Sequence, residues 1–345
     1  MSQWKAVAVG ILAANISVFG QGNDERETLR AMNNLGAIYS SRGDYERAEG
    51  YFRQALAACE QSSCQTIRDF GAALNNLGSA LYKRGHFLEA EAVYRRSIAV
   101  LDSETPEDLS TRASALNNLA TLYRTIGQLS KAESFFERAL PLQEQVSGPG
   151  SLEMGRIWSN LASLYQMQGR YVESEELHRR VLALRERLLG PNDRVTASSV
   201  RNLACVLGSE GRFSEAEQLY TRALAIMEHA VGPDHAEVAP ILEDLGYLAA
   251  RAGRLKEAEQ TFARAIRILE NSYGESNREL IPALENYASV LRRQGRKSEA
   301  KRLEARVTAI RTSDARENRL GLTVDATAAS MVHQSRTTST PRSQD

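Results

Sequence analysis

Six asparagines recur at one interval along the chain: Asn34, Asn76, Asn118, Asn160, Asn202 and Asn286, with Asp244 taking the one remaining step. The interval is 42 residues. A carboxamide donates and accepts hydrogen bonds at once, but it is a poor nucleophile, acid or base. A column of them therefore suits the backbone of an extended peptide better than bond making. The same residues have a second reading. Asn is a poor helix former, and an Asn kept in mid-helix can instead bridge to the neighbouring helix and fix the repeat spacing. Cations fall beside the column at Lys83, Arg124, Arg201, Arg251 and Arg293. They fit an acidic segment or a C-terminal carboxylate, or else an ordinary solvated surface. Glu243, Asp244 and Glu285 make the far end of the series acidic.

Groups that make and break bonds are scattered by comparison. The three cysteines (Cys59, Cys64, Cys205) form no CxxC pair, and the five histidines stand apart from them, so no zinc-site spacing arises. Glycine-rich phosphate loops, HExxH and GxSxG are all missing. The expectation is no metal, no cofactor and no enzyme, the alternative being an enzyme whose site no motif marks. Cys205 falls on the same face as the asparagines and reads as a small packing residue. Cys59 and Cys64 enclose four residues; in an exported chain they would form a disulfide closing a small loop, and in the cytosol they would stay reduced. Lys plus Arg and Asp plus Glu both number 43. That balance argues against a general nucleic-acid binder and against a polybasic membrane-surface protein. No apolar run reaches the roughly 18–20 residues of an integral membrane span.

The elements that position these residues follow from the repeat itself. Stepping by 42 from Asn33-Asn34-Leu35-Gly36 gives seven copies without insertion or deletion, ending at Glu285-Asn286-Tyr287-Ala288. Gly recurs at 43, 85, 127, 169, 211, 253 and 295. Ala recurs at 48, 90, 132, 216, 258 and 300, with Ser174 the exception. Phe52, Tyr94, Phe136, His178, Tyr220 and Phe262 share a further column, which fails at Glu304. Apolar residues three and four apart, such as Leu203, Val206 and Leu207, then Ala216, Leu219, Tyr220, Ala223 and Leu224, predict two amphipathic helices per copy. The glycine after the first helix permits a left-handed turn into the second. The small residue at 204 would let the two helices approach, and the ring at 220 would fill the gap toward the next pair. Ser130 with Glu133, and Ser214 with Glu217, fit capping boxes opening second helices. Gly232-Pro233-Asp234 would end one copy and cap the next. One such pair cannot bury its apolar face, so the copies must stack. Lys297, Glu304 and Thr308 replace apolar residues in the last copy, as an end cap requires.

This pattern of small residue, Gly, Ala, aromatic and Ala, seen at Gly36, Ala48, Phe52, Ala55 and their copies, resembles the tetratricopeptide repeat family. The 42-residue length and the linker Gly232 to His235 are most similar to the kinesin light chain type of repeat. The resemblance covers residues 24–311 and is specific for fold, not for partner. It extends to the repeat type alone, since no heptad segment for heavy-chain pairing accompanies it. It implies an all-α, right-handed α-solenoid of seven helix–turn–helix repeats whose first helices line a concave groove. Arg30, Asn33, Asn34, Ala37, Ser41 and their copies would face that groove. It also implies that Asn34, Asn76, Asn118, Asn160, Asn202 and Asn286 contact a bound peptide.

Residues 1–20 differ in character. Lys5 precedes the mostly apolar Ala6 to Phe19, and Val18-Phe19-Gly20 resembles a cleavage site. This is the layout of a secretory signal peptide, which would make the protein periplasmic or extracellular. An apolar leading helix packed on the first copy, in a cytoplasmic protein, is the other reading. Residues 312–345 are rich in Ser, Thr, Arg and Gln and form a tail too polar to order itself. The functional expectation is a non-enzymatic scaffold holding a protein or an extended peptide. The alternative is a regulatory sensor for a small peptide or metabolite.

Overall fold

The computed structural model describes residues 24–61, 67–102 and 105–313. The expected signal peptide, Cys64 and most of the expected tail lie outside these residues. The described residues form helices and turns and contain no strand. Fourteen α-helices alternate with short connections. In chain order they are α1 (Asp24–Ser41), α2 (Tyr45–Gln61), α3 (Ile67–Lys83), α4 (Phe87–Val100), α5 (Pro106–Thr125), α6 (Leu129–Ser147) and α7 (Leu152–Met167). There follow α8 (Tyr171–Leu189), α9 (Arg194–Ser209), α10 (Phe213–Val231), α11 (Ala239–Arg251), α12 (Leu255–Tyr273), α13 (Ile281–Arg293) and α14 (residues 297–313). Short 3-10 turns, Ala236–Val238 and Arg278–Leu280, lead into α11 and α13. The helices make seven antiparallel pairs, one per copy of the repeat. They divide into two compact units between Leu188 and Leu189, four pairs in the first and three in the second. Thr312 and Ser313, expected in the tail, continue α14.

Three pairs show an aromatic ring lying directly on a glycine of the facing helix. A Cβ added to Gly36 would stand 2.5 Å from the Phe52 ring, one on Gly78 2.6 Å from Tyr94, and one on Gly246 2.9 Å from Phe262. The ring thus seals its own pair, where spacing alone pointed to the gap beyond it. The reason is direction: a helical side chain leans toward the N-terminus of its own helix, here over the opposite partner. Ala48, Ala90, Ala132, Ala216, Ala258 and Ala300 are fully buried at the same crossings. Ser174 keeps that position by donating its hydroxyl to the Ala162 carbonyl at 2.7 Å, which satisfies the buried polar group.

The turns are backbone devices. Gly127 has φ +76°, its N–H donates to the Arg124 carbonyl, and the Gln128 N–H reaches back to the Tyr123 carbonyl. Gly211 and Arg212 repeat the arrangement on Gly208 and Leu207. These bonds consume the helix-end groups, and α6 and α10 start at once, with Gln128 and Arg212 as caps lacking side-chain bonds. The expected capping boxes are therefore absent, because Ser130 and Ser214 already lie inside the first turn. Glu133 and Glu217 instead reach Arg170 and Arg254 of the following pair. Between pairs, real caps do occur: Thr105, Ser151 and Asp193 accept from Asp108, Met154 and Val195 N–H. After Gly232 the cap is His235, two residues before the Glu237 N–H it accepts from, and not Asp234.

Two predictions follow from this packing. Leu161, buried in the first unit, should lose about 2–5 kcal/mol of stability on replacement by Ala, read from urea unfolding. His178 occupies an aromatic position, is 1% exposed, and has a buried Nδ1 without a partner. Burial, with Arg185 adding repulsion, pushes its imidazolium from 6.5 down to about 4. The folded chain then holds fewer protons on this ring than the unfolded one, so stability is lost as pH falls from about 6.5 toward 4. His178→Phe should move the acid-unfolding midpoint to lower pH and change the melting temperature little at about pH 8.

Candidate functional site

Within each unit, successive first helices touch directly: α1 with α3, α3 with α5, α5 with α7, then α9 with α11 and α11 with α13. Second helices are spanned instead by long side chains. Arg96 reaches Glu60 at 2.6 Å, Arg264 reaches Glu228 at 2.6 Å, and Arg306 pairs with Glu270. Arg170, Arg254 and Arg296 bridge to Glu133, Glu217 and Glu259 of the preceding pair. First helices in direct contact and second helices spanned by long side chains put the first helices on the inner side of each stack.

Asparagines link successive first helices in the first unit. Asn76 Nδ2 donates to Asn33 Oδ1, Asn118 to Asn75, and Asn160 to Asn117, each at 3.0 Å. The residue one position earlier in the preceding copy is thus the partner of each of these three. Asn118 also donates weakly to Ser79 Oγ at 3.4 Å. In the second unit the same step is made by an ion pair, with Arg201 Nε donating to Asp244 Oδ2 at 2.6 Å. Arg201 and Asp244 are consequently a coupled replacement for an Asn–Asn pair rather than two separate features. Asn34 is exposed on α1, and Asn202 and Asn286 are half-buried.

The remaining cations separate by partner. Lys83 is exposed at the end of α3, and Arg293 donates to the Ala250 carbonyl at 2.6 Å, closing the end of α11. Arg124 is half-buried, and desolvation holds its pKa below the usual guanidinium value, with Tyr82 alone opposing. Arg156, which spacing did not single out, is held down in the same way and donates to Ser114 Oγ at 3.2 Å. On Arg156 desolvation outweighs the pull of Glu153, whereas carboxylate partners hold the pKa values of Arg170, Arg254 and Arg296 up.

In the second unit the inner face opens into a cleft of about 430 Å³ between α9, α10 and α11. Its floor holds Cys205, Tyr220 and Asp244, and its walls hold Phe213, Tyr247 and Leu248. The Arg251 guanidinium stands 5.2 Å over Phe213 and 5.9 Å from the Tyr247 ring, and donates to the Tyr247 hydroxyl at 3.1 Å. Cys205, expected as packing, is instead an exposed thiol that lines this cleft, close to the Tyr220 hydroxyl. Burial, then Asp244 and Cys205, push that phenol far above its ordinary range. The period places residue 205 on the inner face; what it does not convey is that the copy contains too little bulk to cover it. Cys59 is disulfide-bonded, and Cys64 lies outside the described residues. Among the described residues no three His, Cys, Asp or Glu side chains gather as a metal site would need, and no helix is long and apolar enough to cross a membrane.

Glu243 is the group on this face whose protonation responds most near neutral pH. Burial and the neighbouring Asp244 raise its carboxyl from 4.5 to about 7, with Arg201 opposing and Glu279 adding to the rise. The folded chain holds this proton more tightly than the unfolded chain, so the contribution is full below about 4.5 and is lost as pH rises through about 7. Glu243→Gln should leave the melting temperature unchanged near pH 4 and raise it at about pH 8. An unchanged difference between the two pH values would contradict this assignment.

The tetratricopeptide repeat sequence profile matches residues 69–145, 153–229, 210–271 and 237–313, and a second profile of the same description matches 28–62. No curated protein matches the sequence. Among solved structures the chain is similar to BtubC (BKLC) from P. vanneervenii at 24% identity, covering 65% of this chain and 91% of that one with a TM-score of 0.55. The apo form of the quorum sensor NprR from B. thuringiensis matches at 15% identity over 87% and 80% of the two chains, TM-score 0.70. A Rap protein complexed with Competence and Sporulation Factor matches at 15% over 89% and 80%, TM-score 0.63. These likenesses establish an all-α solenoid fold.

Proposed function

Because the chain belongs to the tetratricopeptide repeat family, we propose that it is a non-enzymatic scaffold that holds an extended segment of another protein on the inner faces of its first helices. The observation that carries this reading is the composition of those faces. Amides, hydroxyls and the cations Arg124 and Arg156 lie together there, with desolvation lowering the pKa of both guanidinium groups. An extended backbone supplies carbonyls for such donors, and an acidic side chain supplies the charge. The Asn–Asn bonds hold the face in register while each amide retains further hydrogen-bonding capacity.

A second reading, a sensor for a small peptide or metabolite, draws on the likeness to the quorum sensor NprR and to the Rap complex. A sensor would change its radius of gyration in scattering on ligand addition, whereas a passive scaffold would not. Export is a further part of the proposal. It rests on the sequence of residues 1–20 and is supported by the disulfide at Cys59, a bond that persists in oxidising compartments.

Lys83→Glu combined with Arg156→Glu reverses two inner-face charges without touching an Asn pair. Affinity purification from the native host should recover bound partner about tenfold less with this variant. The outer-face control Arg267→Glu should recover it as the wild type does. Equal recovery by all three proteins, each with unchanged circular dichroism, would sink the reading.

A further inference from the structure

Gly208 has helical backbone and no steric reason to be glycine. A Cβ there would meet Ala216 and Leu248 at 3.8 Å, an ordinary contact, whereas Gly36 and Gly78 face rings at less than 3 Å. Glycine also weakens a helix relative to alanine. What its missing side chain does is leave the cleft open, since Gly208 is among the residues that line it.

Three repeats earlier the chain fills the corresponding place itself. Tyr82 stands where Gly208 stands, Phe87 where Phe213 stands, and Thr125 where Arg251 stands. The Tyr82 ring packs on Phe87 at 5.8 Å with the planes tilted 51°, and its hydroxyl lies 2.8 Å from Thr125 Oγ1. In the second unit the aromatic wall is retained and the ring that covers it is removed. The residue at the polar end is changed from a hydroxyl to a guanidinium. Arg251 rests over Phe213 and Tyr247, the cation–π position that a displaced or shared aromatic partner would also use.

We infer that this cleft is a pocket for one tyrosine side chain supplied by the bound segment. The ring lies on Phe213, as Tyr82 lies on Phe87, and its oxygen accepts a hydrogen bond from Arg251. The volume of about 430 Å³ is within the roughly 300–1,000 Å³ of ordinary small-ligand sites. The acceptor requirement explains the choice of tyrosine over phenylalanine. Arg251 has only donors to offer, and a phenol oxygen gives it one acceptor in place of Tyr247. The inference rests on the inner faces being a seat for an extended segment, and it adds which side chain that segment carries.

The test uses the full chain and three probes: N-acetyl-tyrosine amide and its phenylalanine and alanine counterparts, followed by shifts of backbone amide resonances. The tyrosine probe should perturb Gly208, Ser209 and Tyr247 and bind about tenfold more tightly than the alanine probe, with phenylalanine between them. Gly208→Tyr, which restores the self-filled arrangement of Tyr82, should keep its helix content and lose the response. Phe213→Ala removes the wall and should weaken it as well, and this variant decides the matter if Gly208→Tyr does not fold. Equal binding of the alanine and tyrosine probes would overturn the inference, as would wild-type binding by either folded variant. If partner recovery still depends on Lys83 and Arg156 while the tyrosine probe does not bind, this pocket is refuted and the scaffold reading stands. If recovery is also indifferent to those charges, both fail.

Discussion

The contact on which everything else depends is a ring resting on a residue with almost no side chain. Phe52 on Gly36, Tyr94 on Gly78 and Phe262 on Gly246 leave no room for even a methyl group, so the distance between the two helices of a pair is set by ring thickness. Similar distances make similar pairs, and these stack with the second helix of one against the first helix of the next, as α2 does on α3 and α10 on α11. A domain with a single central core can absorb a local misfit elsewhere. A linear stack cannot, because each interface is the sole support of its neighbour.

Once the pairs are level, hydrogen-bonding groups one repeat apart come into reach of one another, and the inner faces are built from that alignment. Asn76 to Asn33 and Asn118 to Asn75 are the neutral form of the link, and Arg201 to Asp244 the charged form. The charged form brings a consequence for its surroundings. A second carboxylate, Glu243, is left beside Asp244 with one guanidinium between them, and burial then raises its proton affinity. The two units therefore share a scaffold and differ in chemistry: amides and desolvated cations in the first, acids, a thiol and aromatic walls in the second.

The fold was legible because periodicity is a long-range signal carried by short-range residues. Gly211, Ala216 and Tyr220 each have a local reason to be where they are, and seven repetitions remove the ambiguity of any one. The bridging reading of the asparagines was also available, but their partners were not. Asn33, Asn75 and Asn117 sit next to the column in sequence, and only the offset between stacked helices shows which amide meets which. The capping boxes at Ser130 and Ser214 do not form because the preceding turn has already satisfied the helix end, which a local motif does not convey. The cleft was hidden for the opposite reason. Gly208 is an absence, and a missing side chain gains meaning only when Tyr82, Phe87 and Thr125 show what the place holds elsewhere. The Arg–Glu ties of the second helices looked like solvated surface charge, and residue by residue they are that as well.

Those ties and the inner amides respond to different variables. Arg96–Glu60 is half in water and its equivalents are partly so, where added electrolyte weakens attraction over a screening length of about 8 Å at physiological ionic strength. The Asn–Asn bonds carry no net charge and are indifferent to it. In the first unit neutral amide bonds thus share the inner side, while charged ties span the outer side, in the manner of a bimetallic strip. Rising ionic strength loosens the charged ties and spares the amide bonds, so the spacing of the second helices in that unit is coupled to the electrolyte around the protein.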